Sequence, residues 1–100
     1  MNLIDKNIDF IREICKKHKV GKLFVFGSVL TDKFNQKSDI DFIVDFKNIE
    51  VEKYADNYFD FKFSLQDFLK RNIDLLEDKA IKNPYLRKSI DSSKKLIYGE

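Results

Sequence analysis

Residues 24–46 read FVFGSVLTDKFNQKSDIDFIVDF, and this stretch decides the fold that the sequence predicts. It opens with an apolar run that ends at Gly27, which is typical of a buried strand. From residue 39 onward polar and apolar residues alternate, with Asp39 and Asp41 on one face, and this period of two predicts a second strand. Because an ionised carboxylate is costly to bury without a partner, the two aspartates must face solvent or share a cation.

Patterns on both sides of this stretch complete the order α-β-(α)-β-α-β-α, one domain over residues 1–100. Apolar residues at steps of three and four predict helices over residues 3–19 and 51–70, and residues 72–76 predict a third strand. Asn followed by Pro at residues 83–84 is a typical helix start. The core face of this last helix is predicted to comprise Leu86, Ile90 and Ile97. The fold class is therefore α/β (α+β).

Composition excludes several classes of protein. The chain has 100 residues, and no apolar stretch approaches the run of about 18 that a membrane helix needs. The N-terminus lacks the layout of a signal peptide, and the single Cys15 fits a reducing compartment. We therefore expect a cytoplasmic protein without membrane contact. The net charge of +2 is too small to indicate nucleic-acid binding, and the basic residues after position 78 are interspersed with acids.

Two short motifs suggest a phosphate site next to a metal site. Alternate positions of a strand place Asp39 and Asp41 on the same face with Cα atoms about 6.5 to 7 Å apart, and such a pair suits Mg²⁺, which binds carboxylates together with substrate phosphates. Gly27 allows the backbone to approach a phosphate closely, and Ser28 offers a hydroxyl donor. Each motif alone is weak, but together, twelve residues apart, they are much more specific.

The segment FGSVLTDKFNQKSDIDFIV resembles the Gly-Ser and Asp-x-Asp signature of the DNA polymerase beta-like nucleotidyltransferase superfamily. Among its branches the chain looks most like the minimal nucleotidyltransferases, the antitoxin partners of HEPN-domain toxins, and the resemblance covers nearly its whole length. It implies a short mixed β-sheet of about three strands flanked by helices. It also implies ATP as substrate and Mg²⁺, as two ions, as cofactor.

The resemblance also assigns roles to residues. Gly27 and Ser28 are expected to bind the triphosphate. Asp39 and Asp41 are expected to be catalytic and to hold the metal, and Asp74 in NIDLLED matches the third metal-binding and catalytic carboxylate. The residues alone would not prefer Asp74 to other aspartates such as Asp45. That residue lies about 13 Å along the strand from Asp41, and we interpret it as a solvated strand-end carboxylate.

Two functions follow from the resemblance. In the first, the chain is an enzyme that transfers AMP from ATP to a tyrosine hydroxyl of a HEPN toxin. This modification silences the toxin. In the second, it is a binding module that neutralises the toxin by contact, through Phe59 and Phe63 of the aromatic helix. Many relatives carry an arginine shortly after Gly-Ser that this chain lacks, and Lys33 or Lys37 is a candidate replacement. Whether the chain forms a homo-oligomer or a hetero-oligomer stays open.

Overall fold

The computed structural model describes residues 2–31, 34–35 and 37–99, without the side chains of Asn2 and Ser28. The elements in chain order are α1 (Asn2–Lys6), α2 (Ile8–Lys17), β1 (Val20–Phe26), a 3₁₀ helix (Gly27–Leu30), β2 (Ile40–Phe46), α3 (Val51–Leu69), β3 (Ile73–Glu77), a second 3₁₀ helix (Asp78–Ala80), α4 (Pro84–Ser93) and β4 (Lys95–Tyr98). None of the helices in these described ranges is long and apolar enough to cross a membrane.

The sheet has the strand order β3-β2-β1-β4 and is mixed, as the resemblance implied. Strand β1 runs antiparallel to both of its neighbours. Strands β2 and β3 are parallel, and the chain passes between them through α3. One consequence decides the site: β1 ends at the same edge of the sheet at which β2 and β3 begin.

The predicted number of strands is wrong, because the sheet has four rather than about three. The last helix ends at Ser93, Lys94 is extended, and residues 95–98 form β4. Ile97 is buried, as predicted, but in a strand; its spacing of seven from Ile90 also fits two helical turns, so the pattern could not distinguish the two. Strand β4 pairs with β1, so backbone hydrogen-bonding groups of β1 that would otherwise be unpaired at an open edge of the sheet are satisfied.

The helices differ from the prediction at two further points. The N-terminal helix divides at Asn7, whose side-chain amide donates to the carbonyl of Leu3. Leu86 is 46% exposed, so its assignment to the core is wrong, and Ile90 is the buried residue of α4. The predicted start of α4 is confirmed, since the side-chain oxygen of Asn83 accepts hydrogen bonds from the amides of residues 85 and 86.

Helices α2 and α3 pack on one face of the sheet and bury the main core. Cys15 of α2 is fully buried, as are Phe61 and Leu65 of α3, which confirms their predicted places. In the middle of β2 the consecutive residues Phe42 and Ile43 are both fully buried, so both faces of the sheet are covered there. Towards the start of β2 this cover ends, and polar side chains become accessible.

Candidate active site

Asp41 and Asp74 lie side by side at the edge where β2 and β3 begin. They are direct partners in the parallel ladder, which places their side chains next to each other on the same face of the sheet. Asp74 is exposed, whereas Ile73 and Leu75 on either side of it are buried, so Asp74 faces away from the core as predicted. The sheet register therefore brings together two carboxylates that are 33 positions apart in the sequence.

The electrostatics of this pair indicate a shortage of positive charge. The pKa of Asp41 is raised, first by partial burial, then by the negative charges of Asp74 and Asp39, and last by the hydrogen bond to Asp74. Carboxylates held this close repel one another unless one keeps a proton or a cation joins them. Carboxylate oxygens are the donors that Mg²⁺ prefers, so the chemistry of the pair fits this ion.

Gly27 packs directly against Asp41. Its φ of 82° is in the left-handed region that favours glycine. A Cβ atom at this position would lie only 2.5 Å from Oδ2 of Asp41. The register explains this contact, because Phe26 at the end of β1 is the antiparallel partner of Asp41. The predicted Gly-Ser motif and the predicted carboxylate are thus brought together, while the side chain of Ser28 lies outside the described part of the structure.

Asp39 lies immediately before β2, and its side chain is exposed. It is near enough for its charge to raise the pKa of Asp41. Among the described residues, however, no three His, Cys, Asp or Glu side chains are grouped closely enough to hold one metal ion. The chain therefore preassembles the pair Asp41 and Asp74, but not a closed set of three ligands. Asp45 is exposed near the other end of β2, opposite Lys22, as predicted for a solvated carboxylate.

An open cleft of about 910 Å³ adjoins Asp39 on the side of α3. Its lining includes three basic residues, Lys37, Lys70 and Arg71. Lys37 is exposed and is the described one of the two lysines considered as a replacement for the missing arginine; Lys33 lies outside the described residues. Sequence reasoning overlooked Arg71, which lies two positions before the strand of Asp74.

The sequence of residues 9–100 matches the family described as "Polymerase beta, Nucleotidyltransferase". Among curated proteins, the chain is 38% identical over 101 residues to "Putative protein adenylyltransferase MJ0128" of Methanocaldococcus jannaschii. The match covers 93% of this chain and 98% of that protein. The resemblance inferred from the motifs is thereby confirmed at the level of the family.

Solved structures agree on the fold. A structure described as "putative minimal nucleotidyltransferase" superposes with a TM-score of 0.76 at 22% identity and covers 95% of both chains. A tri-AMPylated Shewanella oneidensis HEPN toxin in complex with MNT antitoxin gives a TM-score of 0.66 at 17% identity, over 96% of this chain and 72% of that one. At these identities the two structures establish the fold alone.

Proposed function

The chain belongs to the polymerase beta nucleotidyltransferase family, and we propose that it is an enzyme that transfers AMP from ATP to a hydroxyl group of a HEPN toxin. In this proposal the chain is the antitoxin of that toxin. The observation that carries the proposal is the pair Asp41 and Asp74, joined across parallel strands with the main chain of Gly27 against it. The adenylyltransferase name of the M. jannaschii relative supports AMP as the group transferred. We also propose that the reaction takes place in the cytoplasm, where ATP is available.

Each residue of the proposed site has a distinct task. The main chain at Gly27 and Ser28 holds the triphosphate, and only a glycine at position 27 leaves room for Asp41 beside it. Asp41, Asp74 and Asp39 are the proposed ligands of Mg²⁺, and a bound ion would offset the partial burial and the repulsion between carboxylates that raise the pKa of Asp41. When bound, Mg²⁺ neutralises charge on the phosphates and on the leaving oxygen.

The transfer itself is a substitution at the α-phosphorus of ATP. A bond forms between the acceptor oxygen and the α-phosphorus, the bond from that phosphorus to the bridging oxygen breaks, and pyrophosphate leaves. The proton of the acceptor hydroxyl passes to the carboxylate of Asp74, which is exposed and therefore accessible to an acceptor. The protein's remaining contribution is to align the two reactants.

A HEPN toxin is proposed as the acceptor because the fold matches that of the MNT antitoxin solved with an AMPylated HEPN toxin. The acceptor group is proposed to be a tyrosine hydroxyl. Asp39 and Asp74 are exposed, and the cleft that adjoins Asp39 is open rather than enclosed. An acceptor carried on another macromolecule fits such an open site.

A second function, neutralisation by contact alone, is favoured by the aromatic surface of α3. Phe59 and Phe63 are 48% and 56% exposed, and their rings stack with centroids 6.0 Å apart. Exposed aromatic side chains are enriched at protein interfaces. The same surface would also serve an enzyme that must hold its acceptor, so the two functions differ in whether the carboxylates are needed.

The deciding experiment is the intact mass of a HEPN toxin co-expressed with this chain, after incubation with ATP and Mg²⁺. We expect a gain of one or more AMP units with the wild type and none with Asp41→Asn, because the variant loses a charged metal ligand. Asp45→Asn is the matched control, since it removes a carboxylate from the same strand outside the pair, and it should transfer AMP normally. Unchanged toxin mass with full neutralisation, lost in Phe63→Ala, would instead establish the binding module.

A further inference from the structure

Arg71 joins the start of β3 to the segment that precedes β2. One guanidinium nitrogen, Nη1, donates hydrogen bonds to the carbonyl of Asn35 at 2.7 Å and to the carbonyl of Ser38 at 3.0 Å. The carbon at the centre of the guanidinium group lies 4.5 Å from the ring centroid of Phe34. Each contact is of a kind that a planar, permanently charged group makes better than an ammonium group. Arg71 thus contacts Phe34, Asn35 and Ser38, three residues that lie outside the helices and strands.

The consequence of these contacts falls on Asp39. The carbonyl of Ser38, just before it, accepts from Arg71, and the amide of Ile40, just after it, donates to the carbonyl of Asn72 at 3.1 Å. The backbone on either side of Asp39 is therefore held by Arg71 and Asn72, the two residues that directly precede the strand of Asp74. The side chain of Asp39 remains exposed, so its place is set through its backbone.

We propose that Arg71 is the positioning residue for Asp39, and that it brings this carboxylate within reach of the cation held by Asp41 and Asp74. The proposal rests on the function proposed above. Two of the three carboxylates are fixed by strand pairing, whereas the position of the third depends on a side-chain clamp. Arg71 would then govern how well the metal is bound, without touching the metal or the substrate.

A second arginine offers a matched comparison within the chain. Arg87 of α4 donates to the carbonyls of Asp78 and Ile81 at 2.6 and 3.3 Å, so it also clamps a loop through main-chain oxygens. Its loop follows β3 and leads to α4, away from the start of β2 where Asp39 lies. Arg87 also forms ion pairs with the carboxylates of Asp78 and Asp91 at 2.8 and 3.5 Å. Arg87→Ala therefore removes main-chain contacts of the same kind, together with these ion pairs, without releasing Asp39.

The test begins with the metal-free protein. Amide hydrogen exchange at Ser38 and Ile40, followed by NMR, is compared in wild type, Arg71→Ala and Arg87→Ala. Because hydrogen bonds from a charged group are among the stronger ones in proteins, we expect exchange at both amides to be about 10- to 100-fold faster in Arg71→Ala. In Arg87→Ala the exchange at these two amides should equal that of the wild type.

The second readout is the concentration of Mg²⁺ that gives half-maximal AMP transfer. Arg71→Ala should raise it roughly tenfold, in line with the effect of losing an outer-shell partner of a metal site, and Arg87→Ala should leave it unchanged. Added guanidinium chloride at millimolar concentration should restore Arg71→Ala towards the wild type. Arg71→Lys should stay impaired, because an ammonium group lacks the flat face that lies over the ring of Phe34.

Wild-type exchange at Ser38 in Arg71→Ala, or an unchanged Mg²⁺ requirement, would overturn the proposal. The proposal would also fail if Arg71→Ala lowered the melting temperature as Arg87→Ala does but changed neither the amide exchange rates nor the Mg²⁺ requirement. If the wild type transferred no AMP at all, the proposed function would fail, while the exchange experiment would still decide whether Arg71 fixes the backbone at Asp39.

Discussion

Replacing Gly27 by alanine tests the close packing of the Gly-Ser motif against the carboxylate pair. The added Cβ would be placed 2.5 Å from Oδ2 of Asp41, whereas real contacts of this kind do not fall below 3.0 Å. Asp41 must therefore retreat by at least 0.5 Å, the difference between these two distances. The backbone adds a second cost, because φ at this position is 82°.

The two costs act on different measurements. An L-residue in the left-handed region costs about 1 to 2 kcal/mol, and in a domain of about 100 residues each kcal/mol lowers the melting temperature by roughly 4 to 8 °C. Since a misplacement of about 1 Å at a reaction centre can lower the rate about 100-fold, we expect Gly27→Ala to lower kcat for AMP transfer by about 10- to 100-fold. The loss of activity should persist well below the melting temperature.

Ile11→Val is the control for stability alone. Ile11 is fully buried in α2, and this truncation costs about 0.5 to 1.5 kcal/mol without altering the site. Melting by circular dichroism and transfer measured by toxin mass should separate the two variants: both melt earlier, and only Gly27→Ala loses transfer. If Gly27→Ala transferred AMP within twofold of wild type, the argument that this glycine makes room for Asp41 would be wrong.

Three further outcomes are expected. Asp41→Asn should raise the melting temperature of the metal-free protein and abolish its increase on adding Mg²⁺, because partial burial and the charges of its acidic neighbours raise the pKa of Asp41. For the same reason the metal-free wild type should lose stability as the pH rises through the pKa of this group, and a melting series with EDTA checks both. Tyr58→Phe should lower the free energy of unfolding in urea by about 1 kcal/mol, since its hydroxyl donates to the carbonyl of Leu75. Burial raises the pKa of Cys15 to about 12, so its thiol should react with a disulfide reagent at pH 8 only after unfolding. For the same reason the stability of the protein should decline above pH 9, where the thiol of the unfolded chain ionises. Prompt labelling of the native protein would contradict the burial of Cys15.

The sequence correctly predicted the elements whose pattern of apolar residues fits only one type of secondary structure. The alternation around Asp41 and the helical stripe of α3 left no competing period, and both elements are confirmed. The prediction for residues 95–98 was wrong because the spacing of Ile97 from Ile90 suits a helix and a strand equally. What separated the two was the unpaired edge of β1, which is a property of the assembled sheet and not of residues 95–98.

The same distinction holds for the site. Motif and resemblance identified Gly27, Asp41 and Asp74, and the register brings these three together; their roles stay predictions. The contribution of Arg71 could not be read from the chain, because its hydrogen bonds reach backbone carbonyls, which every residue carries. Side chains that act on the backbone leave no pairing of residue types for a sequence pattern to reveal.

The position of β4 has a consequence for biosynthesis. Strand β1 is made early, but its outer partner comprises residues 95–98. While a ribosome is still translating the segments between them, β1 can already pair with β2, yet its other side exposes unpaired amides and carbonyls. Open strand edges recruit other chains, and incompletely folded chains are most prone to aggregate at this stage. A nascent chain that stalls before residue 95 should therefore depend on chaperones more than its small size suggests.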